Sequence, residues 1–318
     1  MSKETAVQLI HGDCLECMKE IPDGSVDMVL CDLPYGIIKG ANLDGWTNQT
    51  TEWDEVINTE KLFVEYERIL RSNGVAILFS QEPYTMHLRT FKSENFYFLY
   101  PMIWKKDHFA NALSSKKAPV SYFEDLNVFA KKYDKQNLHP LRNYFLDVMK
   151  YIGASTCKDV NSMLGHRRAE HCFYIDSSQF GLCTKKTYEE LIEKFHIDKM
   201  EGFKPFGELQ DIDGAFKRTF KRTFNLPEGK KYLPNVLEFK KDYQRFHPTQ
   251  KPVALLECLI KTYTNEGDTV LDNCMGSGST GVACMNTNRN FIGIELDEKY
   301  FKVADERIKE ASNKKRTA

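Results

Sequence analysis

DTVLDNCMGSGSTGVACMN, residues 268–286, sets a short apolar run, a glycine-rich turn and a helix-forming stretch in that order. Gly276, Gly278 and Gly281 fall into the spacing G-x-G-x-x-G. Glycine lets a backbone turn sharply and approach a ligand closely. A second apolar run, NFIGIEL, follows at 290–296, and Glu295 stands near its end, 19 residues after Gly276. Strand, turn, helix, strand and terminal acid in this order describe a nucleoside-cofactor site, with the acid placed for the two hydroxyls of a ribose. NAD and S-adenosylmethionine both fit such a half-site, and a tight turn with no ligand is the plain alternative.

The same alternation extends outward. AVQLIHGD reads as a strand, CLECMKEI as a helix, and VDMVLCD as a parallel strand buried on both faces. TEKLFVEYERILRSNG is amphipathic and is expected to end as a helix at Asn73-Gly74, before the buried strand VAILFS. FYFLYPMIWKK and YFEDLNVFAKKY look like a strand pair. Past the mixed, polar stretch 134–244, a proline-opened helix (HPTQKPVALLECLIKTYTNEG) leads back to the glycine turn, and DEKYFKVADERIKEAS is a long amphipathic helix. The expected architecture is an α/β, Rossmann-like layered fold with a mostly parallel sheet. Its expected parts are a first half (1–133), an insert (134–244), a cofactor half (245–311) and a frayed tail (312–318).

Composition excludes some classes. With 42% hydrophobic and 28% charged residues, the 318-residue chain has an ordinary globular make-up. It has no apolar run of about 18 residues, so no membrane partner is expected. MSKETAVQLI lacks signal-peptide architecture. Nine cysteines without regular spacing read as reduced thiols in a cytoplasmic protein, and the lone CxxC of Cys14 and Cys17 as two helix positions rather than a metal site. Residues 105–246 hold 26 Lys and Arg against 19 Asp and Glu, and the remainder 18 against 26. A basic middle suits a polyanion, though an ordinary solvated surface has the same composition.

CDLPYGI, residues 31–37, separates the cofactor alternatives. A nicotinamide enzyme has no need of an acid-x-Pro-aromatic at the end of a second strand; an amino-group methyltransferase does. The exocyclic amine of adenine is a poor nucleophile because its lone pair is delocalised into the ring. Acceptors on its two hydrogens favour a more tetrahedral nitrogen. Asp32 can take one hydrogen and the carbonyl of Leu33 the other. Pro34 fixes the turn, and Tyr35 offers a face for the base. Positioning then supplies much of the rate, with no covalent protein intermediate.

DLPYG together with LDNCMGSGSTG resembles the amino-methylating DNA methyltransferases, whose signatures are Asp/Asn/Ser-Pro-Pro-aromatic and a strand acid before a Gly-x-Gly loop. Catalytic motif first, basic insert second and cofactor motif last is similar to the circularly permuted order of their β class. The resemblance covers roughly 7–133 and 245–310 and implies the methyltransferase fold, S-adenosylmethionine as cofactor, double-stranded DNA as partner and a target-recognition insert. It leaves a cognate restriction endonuclease and the oligomeric state open. Asp32 rather than serine favours adenine N6; cytosine N4, an RNA substrate and a catalytically silent DNA-binding protein are the alternatives. Leu33 stands where the family has proline, and Asn273-Cys274 where it has Pro-Phe.

Cofactor contacts implied by the resemblance are Asp13 in HGDC, His247, Thr249, Gln250 and Lys251 in HPTQKP, and Asp272, Asn273, Met275, Gly276, Ser277, Gly278, Ser279, Thr280 and Glu295 at the glycine turn. Thr249, Gln250 and Lys251 are expected at the methionine carboxylate, or else form a polar helix entry; Asp13 is otherwise a helix cap. Trp104 either sandwiches the base or fills the core. In the insert, Ser155 reads as a cap and Gly165 as a turn, with HRRAEHCFY a second short helix, a helix-turn-helix-like pair presenting Arg167 and Arg168. Thr187 and Glu190 have capping-box spacing. FKRTFKRTF offers Lys217, Arg218, Lys221 and Arg222 to nucleic acid.

Overall fold

The computed structural model describes residues 5–36, 55–110, 115–132, 139–177, 179–220, 222–242, 246 and 250–317, without the side chains of 110, 218–220 and 315–317. The chain forms two compact units, Met1–Lys132 with Arg222–Ala318, and Tyr133–Lys221. The first unit therefore reclaims residues 222–244, because the short strand at Val236–Glu238 pairs into its sheet.

That sheet has eight strands: β1 (Val7–His11), β2 (Val26–Asp32), β3 (Leu70–Ser80), β4 (Phe96–Ala110), β5 (Ser121–Lys131), β6 (Val236–Glu238), β7 (Thr269–Asp272) and β8 (Asn290–Glu295), in the order 1-8-7-2-3-5-4-6. All neighbours are parallel except β3–β5 and β5–β4. β2 shows why an almost continuous apolar run becomes a central strand. Its period of two sends Met28 and Leu30 into one core cluster and Val29 and Cys31 into the other, all at most 1% exposed.

Each core is closed by helices. On one face lie α1 (Cys14–Cys17), α2 (Thr59–Ile69) and α3 (Tyr84–Thr90), which bury Cys14, Leu62, Phe63, Tyr66, Ile69 and Leu88. The first-unit helices on the other face, which follow the second unit in sequence, bury Leu255, Leu256, Leu259, Ile260, Ala283, Cys284, Ala304 and Ile308. α2 ends earlier than the sequence suggested. Strand β3 begins at Leu70, and Asn73 (φ 62°) sits where the β2–β3 register shifts between Val26 and Met28. Arg71 donates to Asp27 at 2.5 Å, tying this irregular start of β3 to β2.

The second unit has a helical core of its own. α4 (Leu141–Tyr151), α5 (Cys157–Leu164), α6 (Lys185–Phe195) and α7 (Phe206–Phe220) bury Phe145, Val148, Val160, Tyr188, Leu191 and Leu209. The cap of α5 is Thr156, in a capping box with Asp159, rather than Ser155. α6 is capped by Thr184, so Thr187 lies inside the helix and the Thr187/Glu190 box does not form. In HRRAEHCFY the chain forms a 3₁₀ turn, Glu170–Phe173; Arg167 and Arg168 lie in the bend before it, not on a second helix. Residues 133–221 carry 14 Lys and Arg against 13 Asp and Glu, so the basic surplus of 105–246 sits on the flanking first-unit segments.

The helices that return the chain to the sheet are α8 (Val253–Tyr263), α9 (Ser279–Asn286) and α10 (Glu298–Thr317), the last running through most of the expected frayed tail. From β7 the chain moves to β8 on one side, and from β2 to β3 on the other. The gap between β7 and β2 is thus the topological switch point, where ligands of open α/β sheets bind beyond the carboxyl ends of the strands.

Candidate active site

Two acids flank that switch point: Asp32 ends β2 and Asp272 ends β7. Tyr35 donates its hydroxyl to Asp32 Oδ1 at 2.5 Å, and the Lys251 ammonium contacts Oδ2. Lys251 also lies 3.2 Å from Glu124 Oε2, and Lys106 contacts Oε1 of the same carboxylate. Lys251 and Lys106 are 6% and 2% exposed in their side chains, Asp32 23%. Burial pushes the Asp32 carboxyl above its usual range; the Lys251 charge opposes this and Glu124 adds to it. Burial acts the same way on Glu124, but Lys251 and Lys106 more than reverse it and hold that group low. Burial and the Asp32 charge push the Tyr35 phenol well up, so it remains a donor.

Leu33 is 2% exposed and packs in the core with Leu62, Tyr66 and Tyr84, which leaves only its backbone for the site. Asn273 is equally buried and accepts from the Tyr66 hydroxyl at 2.6 Å, a polar contact where the family pattern has Pro-Phe. Trp104 is core: it is 1% exposed and donates Nε1–H to the Phe239 carbonyl at 2.8 Å.

The glycine loop is built around its two acids. Asp272 accepts from Thr280 Oγ1 at 2.6 Å and from the Cys274 N–H at 3.2 Å. Burial pushes its carboxyl up to about 7, against those two hydrogen bonds. Glu295 accepts the Gly276 N–H on Oε2 and the Asp297 N–H on Oε1, each at 2.8 Å. Each carboxylate oxygen keeps a further lone pair for a hydroxyl. Gly276 (φ 51°) and Gly278 (φ 77°) are left-handed, so the loop reverses into α9. Met275 is buried in the core, Ser279 opens α9, and Ser277 is tied to Arg307 Nη1 at 2.9 Å.

Asp13 caps α1, accepting from the Leu15 and Glu16 N–H groups at 2.9 and 3.2 Å, and remains exposed. Gly12 donates to the Glu295 carbonyl at 3.0 Å, which sets Asp13 beside the end of β8. Gln250 and Lys251 diverge. Gln250 Oε1 meets the Ser277 hydroxyl at 3.4 Å on the glycine loop, while the Lys251 ammonium meets Asp32. A cleft of about 530 Å³, lined in part by Gln250, Phe246, Lys241 and Arg307, opens beside this segment. His247, Thr249 and Lys221 lie outside the described residues, as does the side chain of Arg218. Arg222 donates to the Tyr97 hydroxyl at 2.9 Å within the first unit, and Lys217 pairs with Asp213 at 2.8 Å. Arg167 and Arg168 pair with Glu170 and Glu190 at 2.7 and 2.9 Å from exposed positions.

Glu124, Lys106 and Arg307 were not singled out from the sequence. The signal for the first two was alternation: in WKK, Trp104 and Lys106 share the buried face with Lys105 between them, and Glu124 is the Cα partner of Trp104.

One pH effect follows from Asp272. Burial pushes the Asp272 carboxyl up to about 7, so if it meets the cationic end of the cofactor it must give up its proton on binding. S-adenosylmethionine affinity is therefore expected to weaken as pH falls from 7.5 to 5.5, approaching a tenfold loss per pH unit at the acid end. Calorimetry across that range checks it, and Asp272→Asn should flatten the dependence; an unchanged slope in the variant would reject the assignment.

Comparison with known proteins agrees with this arrangement. The DNA methylase family matches residues 26–306. The chain is similar to the DNA adenine methyltransferase YhdJ of Escherichia coli (strain K12), at 27% identity over 97% of this chain and 84% of that protein. It is also similar to the type II methyltransferase M2.DpnII of Streptococcus pneumoniae, at 26% identity over 96% of this chain and 90% of that one. In fold it is similar to the M1.HpyAVI–SAM complex (TM-score 0.53, 22% identity, 95% and 98% of the two chains). The cytosine-N4-specific PvuII DNA methyltransferase is comparable in fold (TM-score 0.51, 13% identity, 98% and 95%). With a family match that spans both the Asp32 motif and the glycine loop, this chain belongs to the DNA methylase family and is a DNA methyltransferase that uses S-adenosylmethionine.

Proposed function

We propose that the protein is a site-specific methyltransferase acting on N6 of adenine in double-stranded DNA, with the target base flipped out of the helix. The observation that carries this reading is Asp32, a carboxylate at the switch point beside the glycine loop, with Tyr35 next to it. An amine inside the stack cannot reach such a pocket, so the base must leave it.

The donor set suits S-adenosylmethionine. Asp272, a buried acid that an approaching cation would ionise, fits the ammonium of the methionine end, and the free lone pairs of Glu295 fit the ribose hydroxyls. Asp13, Gln250 and the loop from Met275 to Thr280 complete the cradle. When bound, the cofactor supplies an electrophilic methyl on a sulfonium. Asp32 accepts one hydrogen of the amine and the Leu33 carbonyl the other, which frees the nitrogen lone pair. Tyr35 fixes one Asp32 oxygen through its hydroxyl while its ring flanks the base. Asp32 need not be a strong base, because the amine proton becomes acidic only once nitrogen carries positive charge.

Target recognition is assigned to the second unit. Exposed ion pairs such as Arg167–Glu170 are weak and can exchange for phosphates. The adenine reading also draws on the name of the Escherichia coli relative, a DNA adenine methyltransferase. Duplex DNA incubated with the protein and S-adenosylmethionine, then digested to nucleosides, is expected to yield N6-methyladenine by mass spectrometry. N4-methylcytosine alone would overturn the choice of base.

A further inference from the structure

Three buried charges and a half-buried fourth alternate in sign from the core to the site: Lys106 on β4, Glu124 on β5, Lys251 ahead of α8, and the partly exposed Asp32 on β2. Together they are neutral. The Lys251 ammonium lies 5.1 Å from the Phe79 ring centroid and that of Lys106 5.2 Å from Trp104, so aromatic faces enclose both cations. Removing one partner from a buried ion pair leaves an uncompensated charge, which is costly. A Lys251 that swung to a cofactor carboxylate would strand Asp32 and leave Glu124 with Lys106 alone. Its neighbour Gln250 already faces the glycine loop.

We propose that Lys251 is a positioning residue for methyl transfer, acting through Asp32 rather than on the cofactor, and that Glu124 fixes Lys251 in turn. The inference rests on the amino-methylation reading above. Tyr35 on Oδ1 and Lys251 on Oδ2 fix the plane of the Asp32 carboxylate from both sides. Each oxygen keeps a lone pair for an amine hydrogen.

Among the described residues, the titratable groups around Asp32 are Tyr35 from its own loop, Lys251, Glu124 from β5 and the Asp272 carboxyl on β7, with the buried thiol of its chain neighbour Cys31 on the opposite face of β2. Burial raises the Cys31 thiol to about 12, so it stays neutral in the working range. Lys251 stabilises the ionised, hydrogen-accepting form of Asp32, and Glu124 disfavours it. Removing the two charges therefore has opposite consequences, which a merely structural role would not produce.

The test is the pH profile of kcat from 5.5 to 9 for wild type, Lys251→Met, Lys251→Arg and Glu124→Gln. DNA from a methylation-free host is the substrate, and the S-adenosylmethionine Kd is measured alongside. The acid limb should move up by roughly one pH unit in Lys251→Met and down by a similar amount in Glu124→Gln. At pH 7.5, Lys251→Met should lose about 10²-fold in kcat, with Lys251→Arg recovering most of it. Cofactor Kd should stay within about threefold throughout, since a group acting through Asp32 makes no ground-state cofactor contact.

A cofactor Kd that rises tenfold or more with kcat held would return Lys251 to the methionine carboxylate and overturn the proposal. So would limbs that do not move, or that move together. Should Lys251→Met fail to fold, the downward limb shift of Glu124→Gln and the unmoved limb and cofactor Kd of Lys251→Arg decide the question. An active wild type with unmoved limbs sinks this proposal alone. A wild type that binds S-adenosylmethionine yet methylates no base in that DNA sinks the amino-methylation reading with it.

Discussion

Asp32→Ala is expected to lower methyl transfer by about 10³-fold or more, the order seen when a preorganised hydrogen-bonding group is removed from a reacting centre. S-adenosylmethionine binding should stay within a few-fold, because Asp272, Glu295 and the glycine loop stand on β7 and β8 while Asp32 stands on β2. The substitution also removes one of the two carboxylates that Lys251 meets and leaves it sharing Glu124 with Lys106. A thermal-unfolding control must therefore accompany the assay. Asp32→Asn keeps an acceptor oxygen and should retain part of the activity that alanine loses. Near-wild-type turnover in Asp32→Ala would remove Asp32 from the chemistry.

The second large effect is at Gly278. Its φ of 77° is a conformation that side chains other than glycine resist. A Cβ there would also lie 2.8 Å from Ala304 Cβ and 3.0 Å from Ala304 Cα on α10. The obstacle includes backbone, so it cannot rotate away. Strain and overpacking together should cost about 2–4 kcal/mol in Gly278→Ala. Shifting α10 from the loop should also weaken S-adenosylmethionine binding by more than tenfold. Gly267 is the control: its φ is 85°, but nothing lies within 4 Å of its would-be Cβ. Gly267→Ala should then show only the conformational part, about 1 kcal/mol, and unchanged cofactor affinity. Equal losses in the two variants would mean that contact with α10 is not the cause.

The glycine loop and DLPY were legible because their chemistry constrains the sequence itself. A left-handed turn demands glycine, and an acceptor at a strand end demands an acid. β2 and β3 were legible because apolar runs buried on both faces have few other readings. The end of α2 was not. RILRSNG continues a helical pattern, and only pairing with β2 turns Leu70 onward into strand. Lys251 read as a methionine-carboxylate contact or a polar helix entry; its contacts with Asp32 and Glu124 were out of reach because those residues are 219 and 127 positions away in sequence. Glu124 and Lys106 were hidden by their charge, which reads as surface until the alternation of their strands is followed. In the insert, local spacing misled. Thr187 and Glu190 match a capping box, yet Thr184 begins the helix.

If Asp32 directs a methyl group to adenine in DNA, losing it must erase the mark in living cells. Wild type and Asp32→Ala should each be expressed in a host that lacks DNA methylation, and the modified bases of the host genome mapped by sequencing. N6-methyladenine is expected at one recurring short sequence in the wild-type strain and none in the Asp32→Ala strain, at equal levels of folded protein. Unmodified adenine in both strains, or the same modified adenines in both, would contradict it.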